Sequence, residues 1–252
     1  MSTDYGKQGT LGVLTPQANT TVEPELWTLL PSGWSLLNAR LTSTQDTIES
    51  RLIDYADNIL TTATQFSNAP IAALAFACTG ASYLAGADKE QRIVDKVEAH
   101  CNVQFVTAAQ ATTRALNAMG ASKLALLSPY PDSLNEASSH YWESQGFSII
   151  EKAGPALRDD AFHPIYAMNT DAVYQSYQRL SKTKADAVLM LGTGMPTLAS
   201  LLRGHQQQLT PAISCNLALT WAATDTAGNA DLHDWLAGKH WHQRLRWFTA
   251  DT

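Results

Sequence analysis

Ile71-Ala-Ala-Leu-Ala-Phe-Ala77 runs directly into Cys78-Thr79-Gly80. An apolar run with no polar alternation suits a strand covered on both faces by helices, the hallmark of a parallel α/β sheet. Working outward, Leu11-Gly-Val-Leu-Thr15 reads as a first buried strand ending in the loop Pro16-Gln-Ala-Asn-Thr20, and Ser35–Leu41 reads as a second. Between the second strand and the quoted run, Glu49–Phe66 has helical periodicity, with Leu52, Ile53, Ala56, Ile59, Leu60 and Ala63 on one face. Downstream the alternation continues. Helices are expected over Glu90–His100, Ala109–Met119, Leu134–Gln145, Thr170–Ser181 and Leu217–Thr226. Strands are expected over Val103–Thr107, Leu124–Ser128, Phe147–Glu151, Ala187–Leu191 and Ala212–Ser214.

A faint internal repeat divides this pattern. Leu11-Gly-Val-Leu-Thr-Pro16 is similar to Leu124-Ala-Leu-Leu-Ser-Pro129, and Ala77-Cys-Thr-Gly80 to Leu191-Gly-Thr-Gly194. The separation of Pro16 from Pro129 is nearly that of Cys78 from Gly192, so two strand-end motifs recur together. The expected fold is α/β, with two pseudo-symmetric doubly wound halves, parallel sheets and the active site in the cleft between them. Residues 1–106 with 213–252 form the first half, and 107–212 the second. Open parallel sheets bind ligands beyond the carboxyl ends of their strands. That places Pro16–Thr21, Cys78–Gly80, Pro129–Tyr130 and Gly192–Gly194 around one cleft, with Cys78 and Gly192 opposed.

Composition narrows the partners. The chain has 252 residues, 45% hydrophobic and 16% charged, with a formal net charge of −6. There is no Lys/Arg stripe, which argues against nucleic acid and anionic membrane. Met1–Lys7 lacks the regions of a signal peptide, and no apolar run is long enough to span a bilayer. Cys78, Cys101 and Cys215 match neither a disulfide framework nor a zinc spacing, which fits a reducing cytoplasm. No nucleotide-binding glycine motif is present, and no cofactor or metal is expected. The late Trp/His-rich stretch, with His233, Trp235, His240, Trp241, His242 and Trp247, lacks ligand spacing and reads as a tail that packs across the body or a neighbour, or is solvated.

The motifs carry a resemblance. The chain resembles the aspartate/glutamate racemase superfamily, within it the branch of maleate cis–trans isomerase and arylmalonate decarboxylase. Pro16-Gln-Ala-Asn-Thr20 resembles the isomerases' N-terminal loop, and Ala75–Gly80 the strand ending in their first cysteine. Ser128-Pro-Tyr-Pro-Asp132 resembles their second-half Pro-Tyr loop, Gly192–Leu198 the segment of their second cysteine, and Ser214-Cys-Asn216 with Trp221 their last strand and helix. The superfamily's racemases are expected to use one cysteine per half. Here the second position is glycine, so one face of a substrate lacks that acid or base. Arylmalonate decarboxylases keep their single cysteine in the second half; this chain has the opposite arrangement.

The resemblance implies an isomerase or decarboxylase acting on a small carboxylic or dicarboxylic acid, and commonly a homo-oligomer. Maleate-type isomerisation leads, because Asn19, Tyr130 and Asn169 match dicarboxylate contacts of the isomerases. In that reaction a Cys78 thiolate adds to the alkene, the central bond rotates, and the thiolate leaves. Lowering of the Cys78 pKa by the following helix N-terminus would serve it. In decarboxylation, which ranks second, Cys78 would be the proton donor; Asp/Glu-type racemisation ranks third, and a silent carboxylate-binding module is the non-enzymatic alternative. The catalytic candidates are Cys78 and Tyr130. The substrate-binding candidates are Pro16, Asn19, Thr79, Gly80, Asn169, Gly192, Thr193 and Gly194. Asn19 and Asn169 also read as helix caps, and Tyr130 as a turn aromatic. Cys101 and Cys215 read as packing residues.

Overall fold

In the computed structural model, which describes residues 4–155 and 164–246, two four-stranded sheets form in succession. The first contains β1 (Gly9–Pro16), β2 (Trp34–Leu41), β3 (Ala73–Phe76) and β4 (Gln104–Thr107) in the order β2-β1-β3-β4. The second contains β5 (Lys123–Leu127), β6 (Ser148–Ala153), β7 (Ala187–Met190) and β8 (Ala212–Ser214) in the order β6-β5-β7-β8. Every pairing is parallel. Since β1 and β5 sit second in their sheets and β3 and β7 third, the two halves have the same topology.

The quoted apolar run is β3 and its approaches, and Ala73–Ala77 are buried throughout. Each face is covered by its own apolar layer. One layer joins Leu14, Tyr55, Ile59, Phe66 and Phe76; the other is continuous with the core of the second half, through Leu116, Leu124 and Trp142. The second layer is closed by Cys215–Thr224, an almost wholly buried helix that leaves β8 and packs back on the helices Val22–Leu29 and Ala108–Ala118.

Several boundaries differ from the sequence expectation. The expected helix over Glu49–Phe66 is broken at Asn58 into Ile48–Asp57, Ile59–Ala63 and a 3₁₀ turn, Thr64–Phe66. Within the first of these, Ile53 is exposed while Arg51 and Tyr55 are buried. The helix Leu198–Gln206 after Gly192–Gly194 was not expected from periodicity. The Trp/His stretch packs across the body: Trp235 and Trp241 are buried in the main core, His233, His240 and His242 are exposed, and Arg244 donates to the carbonyls of Thr28 and Leu30, both at 2.8 Å. Trp247 lies outside the described residues. No helix among the described residues is long and apolar enough to cross a membrane.

The halves are tied by a buried carboxylate. Glu25, on the helix after β1, accepts from the backbone N–H of Thr197 at 2.5 Å and of Leu198 at 3.2 Å, and from the Asn216 amide at 2.8 Å. The Thr197 hydroxyl donates to it as well, at 3.0 Å. Burial pushes the Glu25 pKa up, and these donors pull against it. Replacing Glu25 by alanine strands buried donors on both halves and is expected to cost about 3 kcal/mol. Urea unfolding of Glu25→Ala measures this directly; a loss below about 1 kcal/mol would show that the carboxylate does not hold the halves.

Candidate active site

The strand ends of both sheets meet at a cavity of about 230 Å³. Its walls include Pro16 and Asn19 from the loop after β1, Cys78, Thr79 and Gly80 from the end of β3, Pro129 and Tyr130 from the loop after β5, and Thr193 and Gly194 from the loop after β7. Eight of the ten candidate residues therefore stand directly around it; Gly192 and Asn169 are the other two.

Gly192 lies just beneath Tyr130. Its φ is +82°, which favours glycine, and a Cβ there would come within 2.9 Å of the Tyr130 hydroxyl oxygen, 3.1 Å of Ile165 and 3.3 Å of Pro129. The Tyr130 hydroxyl thus fills the space that a side chain at this position would enter. Asn169 lies outside the cavity. It is exposed and caps the helix Thr170–Leu180, its Oδ1 accepting from Ala172 N–H at 2.9 Å. The cap explains this asparagine, and it stands as a correction to the expected dicarboxylate contact.

Asn19 does two jobs. Its Oδ1 accepts from the N–H groups of Thr21 (2.9 Å) and Val22 (3.1 Å), capping the next helix. Its amide donates across the cleft to the Thr193 hydroxyl at 3.2 Å, and that hydroxyl donates to the carbonyl of Ala77 at 2.8 Å. The loop carrying Asn19 is itself held by Arg40 of β2, which donates to the carbonyls of Asn19 (2.8 Å) and Pro16 (3.2 Å). Thr21 donates to the Gly194 carbonyl at 2.8 Å, and Asn216 to the Thr193 carbonyl at 3.0 Å. The second-half loop is therefore positioned chiefly by first-half side chains and by Asn216.

Cys78 terminates β3 at the start of the short helix Thr79–Ala85 and is 4% exposed. Burial pushes its thiol up to about 12, although backbone amides of Ala81 and Gly80 act in the opposite direction. This corrects the expectation of a lowered pKa: a strand-end thiol walled by apolar groups loses more from desolvation than two amides return. Tyr130, with its hydroxyl 3.2 Å from Thr79 Oγ1, is held well above the ordinary tyrosine value by burial. Tyr55 is pushed up to about 12, and Tyr166 is also raised, again by burial first and then by the nearby Cys78. The cavity consequently presents neutral acids.

Periodicity alone did not single out the remaining wall. Ile48, Arg51, Leu52 and Tyr55 come from one face of the helix Ile48–Asp57, with Leu134, Ile165 and Tyr166 facing them. The signal was present in the i, i+4 pairs Ile48/Leu52 and Arg51/Tyr55, but it was hidden by reading the whole stretch as one continuous core helix. Phe76, Tyr83 and Met195 are core residues; Tyr83 packs edge-on against Tyr130, with centroids 6.2 Å apart. Cys215 is fully buried and donates to the Met190 carbonyl at 3.4 Å, a packing role. Cys101 is partly exposed and lies at a helix end, away from the cavity.

With this geometry established, comparison with known proteins is direct. No curated protein sequence matches the chain. Among solved structures, the maleate isomerase Iso from Pseudomonas putida S16 is similar, with TM-score 0.75 and 20% identity over 85% of this chain and 90% of that one. A maleate cis–trans isomerase from Nocardia farcinica, a Cys-to-Ser mutant with a covalently bound succinylcysteine intermediate, has TM-score 0.72 and 21% identity over 85% of this chain and 90% of that one. A liganded arylmalonate decarboxylase mutant, with one glycine changed to cysteine and one cysteine to serine, has TM-score 0.75 and 16% identity over 88% of this chain and 94% of that one. These likenesses support the fold of two parallel four-stranded sheets. The model of the arylmalonate decarboxylase family matches residues 11–238, and the chain belongs to that family.

Proposed function

We propose that the protein is a cofactor-independent decarboxylase of a substituted malonic acid, with Cys78 as the proton donor. The observation that carries this reading is the makeup of the cavity: Cys78 shares it with Ile48, Leu52 and Leu134, no histidine or lysine lies among the described lining residues to take its proton, and burial pushes the thiol and the neighbouring tyrosine hydroxyls up. Racemisation needs a base to remove a proton, and isomerisation needs a thiolate to add to an alkene. Decarboxylation needs neither at its first step. The bond from the central carbon to one carboxylate breaks, CO₂ departs, and the electron pair passes into the remaining carboxylate as an enediolate.

The parts match that sequence of events. Leu52 and Leu134 flank Gly80, within 3.0 and 3.6 Å of where a Cβ on that glycine would stand, and supply an apolar wall against which a carboxylate is poorly solvated. Loss of charge from such a wall is favoured. Tyr130 and Thr79 are hydroxyl donors suited to the developing enediolate. The Cys78 thiol then gives its proton to the central carbon, and the resulting thiolate regains one from water. With glycine at 192, protonation comes from the first-half face alone.

A second reading, maleate-type isomerisation, is favoured by one specific observation: the amides of Gly80 and Ala81 beside Cys78 would stabilise a thiolate once formed. The similar Nocardia farcinica isomerase, a Cys-to-Ser mutant, still carries a succinylcysteine, so loss of one cysteine there leaves adduct formation intact. A small-acid substrate and the cytoplasm as its setting belong to both readings.

Three outcomes follow for the purified protein. Cys78→Ala is expected to lower CO₂ release from 2-methyl-2-phenylmalonate by about 10³-fold with the fold intact, as judged by circular dichroism; an unchanged rate removes Cys78 from the mechanism. The pH profile separates the two readings. With a folded-state pKa near 12, the donor form of Cys78 is full at neutral pH and is lost only as pH rises towards 12. The Cys78-dependent limb of kcat for decarboxylation should be flat from pH 6 to about 10, whereas a nucleophilic thiolate would make the rate rise about tenfold per pH unit. Chiral chromatography of the 2-phenylpropionate product should show the hand opposite to that of decarboxylases whose cysteine is in the second half; the same hand would contradict delivery from Cys78.

A further inference from the structure

Glu90 is a buried carboxylate for which neither the tie at Glu25 nor the proposed chemistry accounts. It lies in the first turn of the helix Ala87–Cys101 and is 3% exposed. Each of its oxygens is taken by one hydroxyl. Ser82 donates to Oε1 at 2.6 Å, and Tyr141 donates to Oε2 at 2.5 Å. Both donors are themselves buried. Burial first, and then the carboxylate, hold the Tyr141 hydroxyl well above the ordinary tyrosine value, so it stays a donor.

The two donors belong to the elements that place Cys78 and Tyr130. Ser82 lies one turn beyond Cys78 in the helix Thr79–Ala85, whose start has no side-chain cap. A seven-residue helix without a cap has little hold of its own on its first turn. Tyr141 lies in the second-half helix Asp132–Ser144, which begins two residues after Tyr130. The Tyr83 ring packs against both tyrosines, its centroid 5.3 Å from that of Tyr141 and 6.2 Å from that of Tyr130. The Thr79 and Tyr130 hydroxyls, 3.2 Å apart, are the cleft contact that depends on the register of these two helices. We propose that Glu90 is a positioning residue: by holding Ser82 and Tyr141 together, it sets the separation of Cys78 and Tyr130 across the cleft. This deepens the proposed function and rests on it only for the use made of those two groups.

Thiol labelling tests the bridge without a substrate. Alkylation by iodoacetamide at pH 8, followed by peptide mass spectrometry, compares Cys78 in the cavity wall with Cys215 in the core. Global unfolding exposes both thiols, whereas slackening of the helix Thr79–Ala85 exposes Cys78 alone. Glu90→Leu removes both hydroxyl contacts at similar volume and is expected to raise the Cys78-to-Cys215 labelling ratio by about tenfold. Tyr141→Phe, which keeps the ring and loses one contact, should raise it about threefold. Glu90→Gln should stay close to the unmodified protein, because its amide can accept from one hydroxyl and donate to the other. Acceleration of both thiols together, an unchanged ratio in Glu90→Leu, or Glu90→Gln behaving as Glu90→Leu would each overturn the proposal. Should Glu90→Leu lose its cooperative melting transition, Tyr141→Phe decides the matter, since an unchanged ratio there also overturns it. With a malonate that the unmodified protein decarboxylates, Glu90→Leu should lower kcat about tenfold and leave KM within about threefold; an unchanged kcat would overturn the positioning role. Failure of the underlying reading is separable. A raised ratio without CO₂ release from any malonate removes decarboxylation and leaves the bridge, and CO₂ release with an unchanged ratio removes the bridge and leaves decarboxylation.

Discussion

A buried carboxylate, Glu25, spans the junction on which the cavity depends. It receives the first backbone amides and the hydroxyl at the start of the helix Leu198–Gln206, together with the amide of Asn216. Asn216 in turn holds the Thr193 carbonyl, and Asn19 holds the Thr193 hydroxyl. Ionised or not, such a group is tolerable in the interior only while its donors stay in place. The cavity thus inherits its geometry from a network that cannot slip without exposing unsatisfied polar groups. Two sheets of the same topology would make a cleft by facing each other; this network makes it one particular cleft.

Burial also decides the chemistry. The same packing that fixes Cys78 at the end of β3 strips water from its thiol and raises its pKa, and Tyr130 and Tyr166 experience the same effect. A strand-end cysteine ahead of a helix suggests a thiolate when water is left out of account. Desolvation outweighs the amides here, because Ile48, Leu52, Leu134 and Ile165 share the walls with Arg51 and no lysine or histidine is among the described lining residues. Such a site suits the proposed decarboxylation, which makes its own carbanion by expelling CO₂. The Tyr130 hydroxyl fills the space adjoining Gly192, opposite Cys78 in the paired motifs.

Much of this was legible in the residues. The alternation of apolar runs with helical periodicity carries the two parallel sheets, and the paired motifs at Pro16/Pro129 and Cys78/Gly192 carry their pseudo-symmetry, because strand ends and their loops are set locally. Asn19 was legible both as a cap and as a cleft residue. What was hidden depends on tertiary packing. The helix Ile48–Asp57 turns Arg51 and Tyr55, rather than Ile53, inward. Asn169 matched a ligand position in sequence but is spent on capping a helix at the surface. The pKa of Cys78 depends on the sum of surrounding walls drawn from separate segments of the chain, which no local motif encodes. The burial of Trp235 and Trp241 likewise depends on where the chain end lands, with Arg244 anchored to Thr28 and Leu30.

The central claim, that Cys78 stands in the cavity as a neutral acid, is open to direct observation. Protein labelled with ¹³C at the cysteine β-carbons, with Cys78→Ala providing the assignment, can be titrated by NMR from pH 6 to 11. The account predicts that the Cys78 resonance keeps its thiol shift through pH 10 and begins to move only towards the top of that range. A thiolate shift already present at pH 7 would contradict it and return the chemistry to nucleophilic addition.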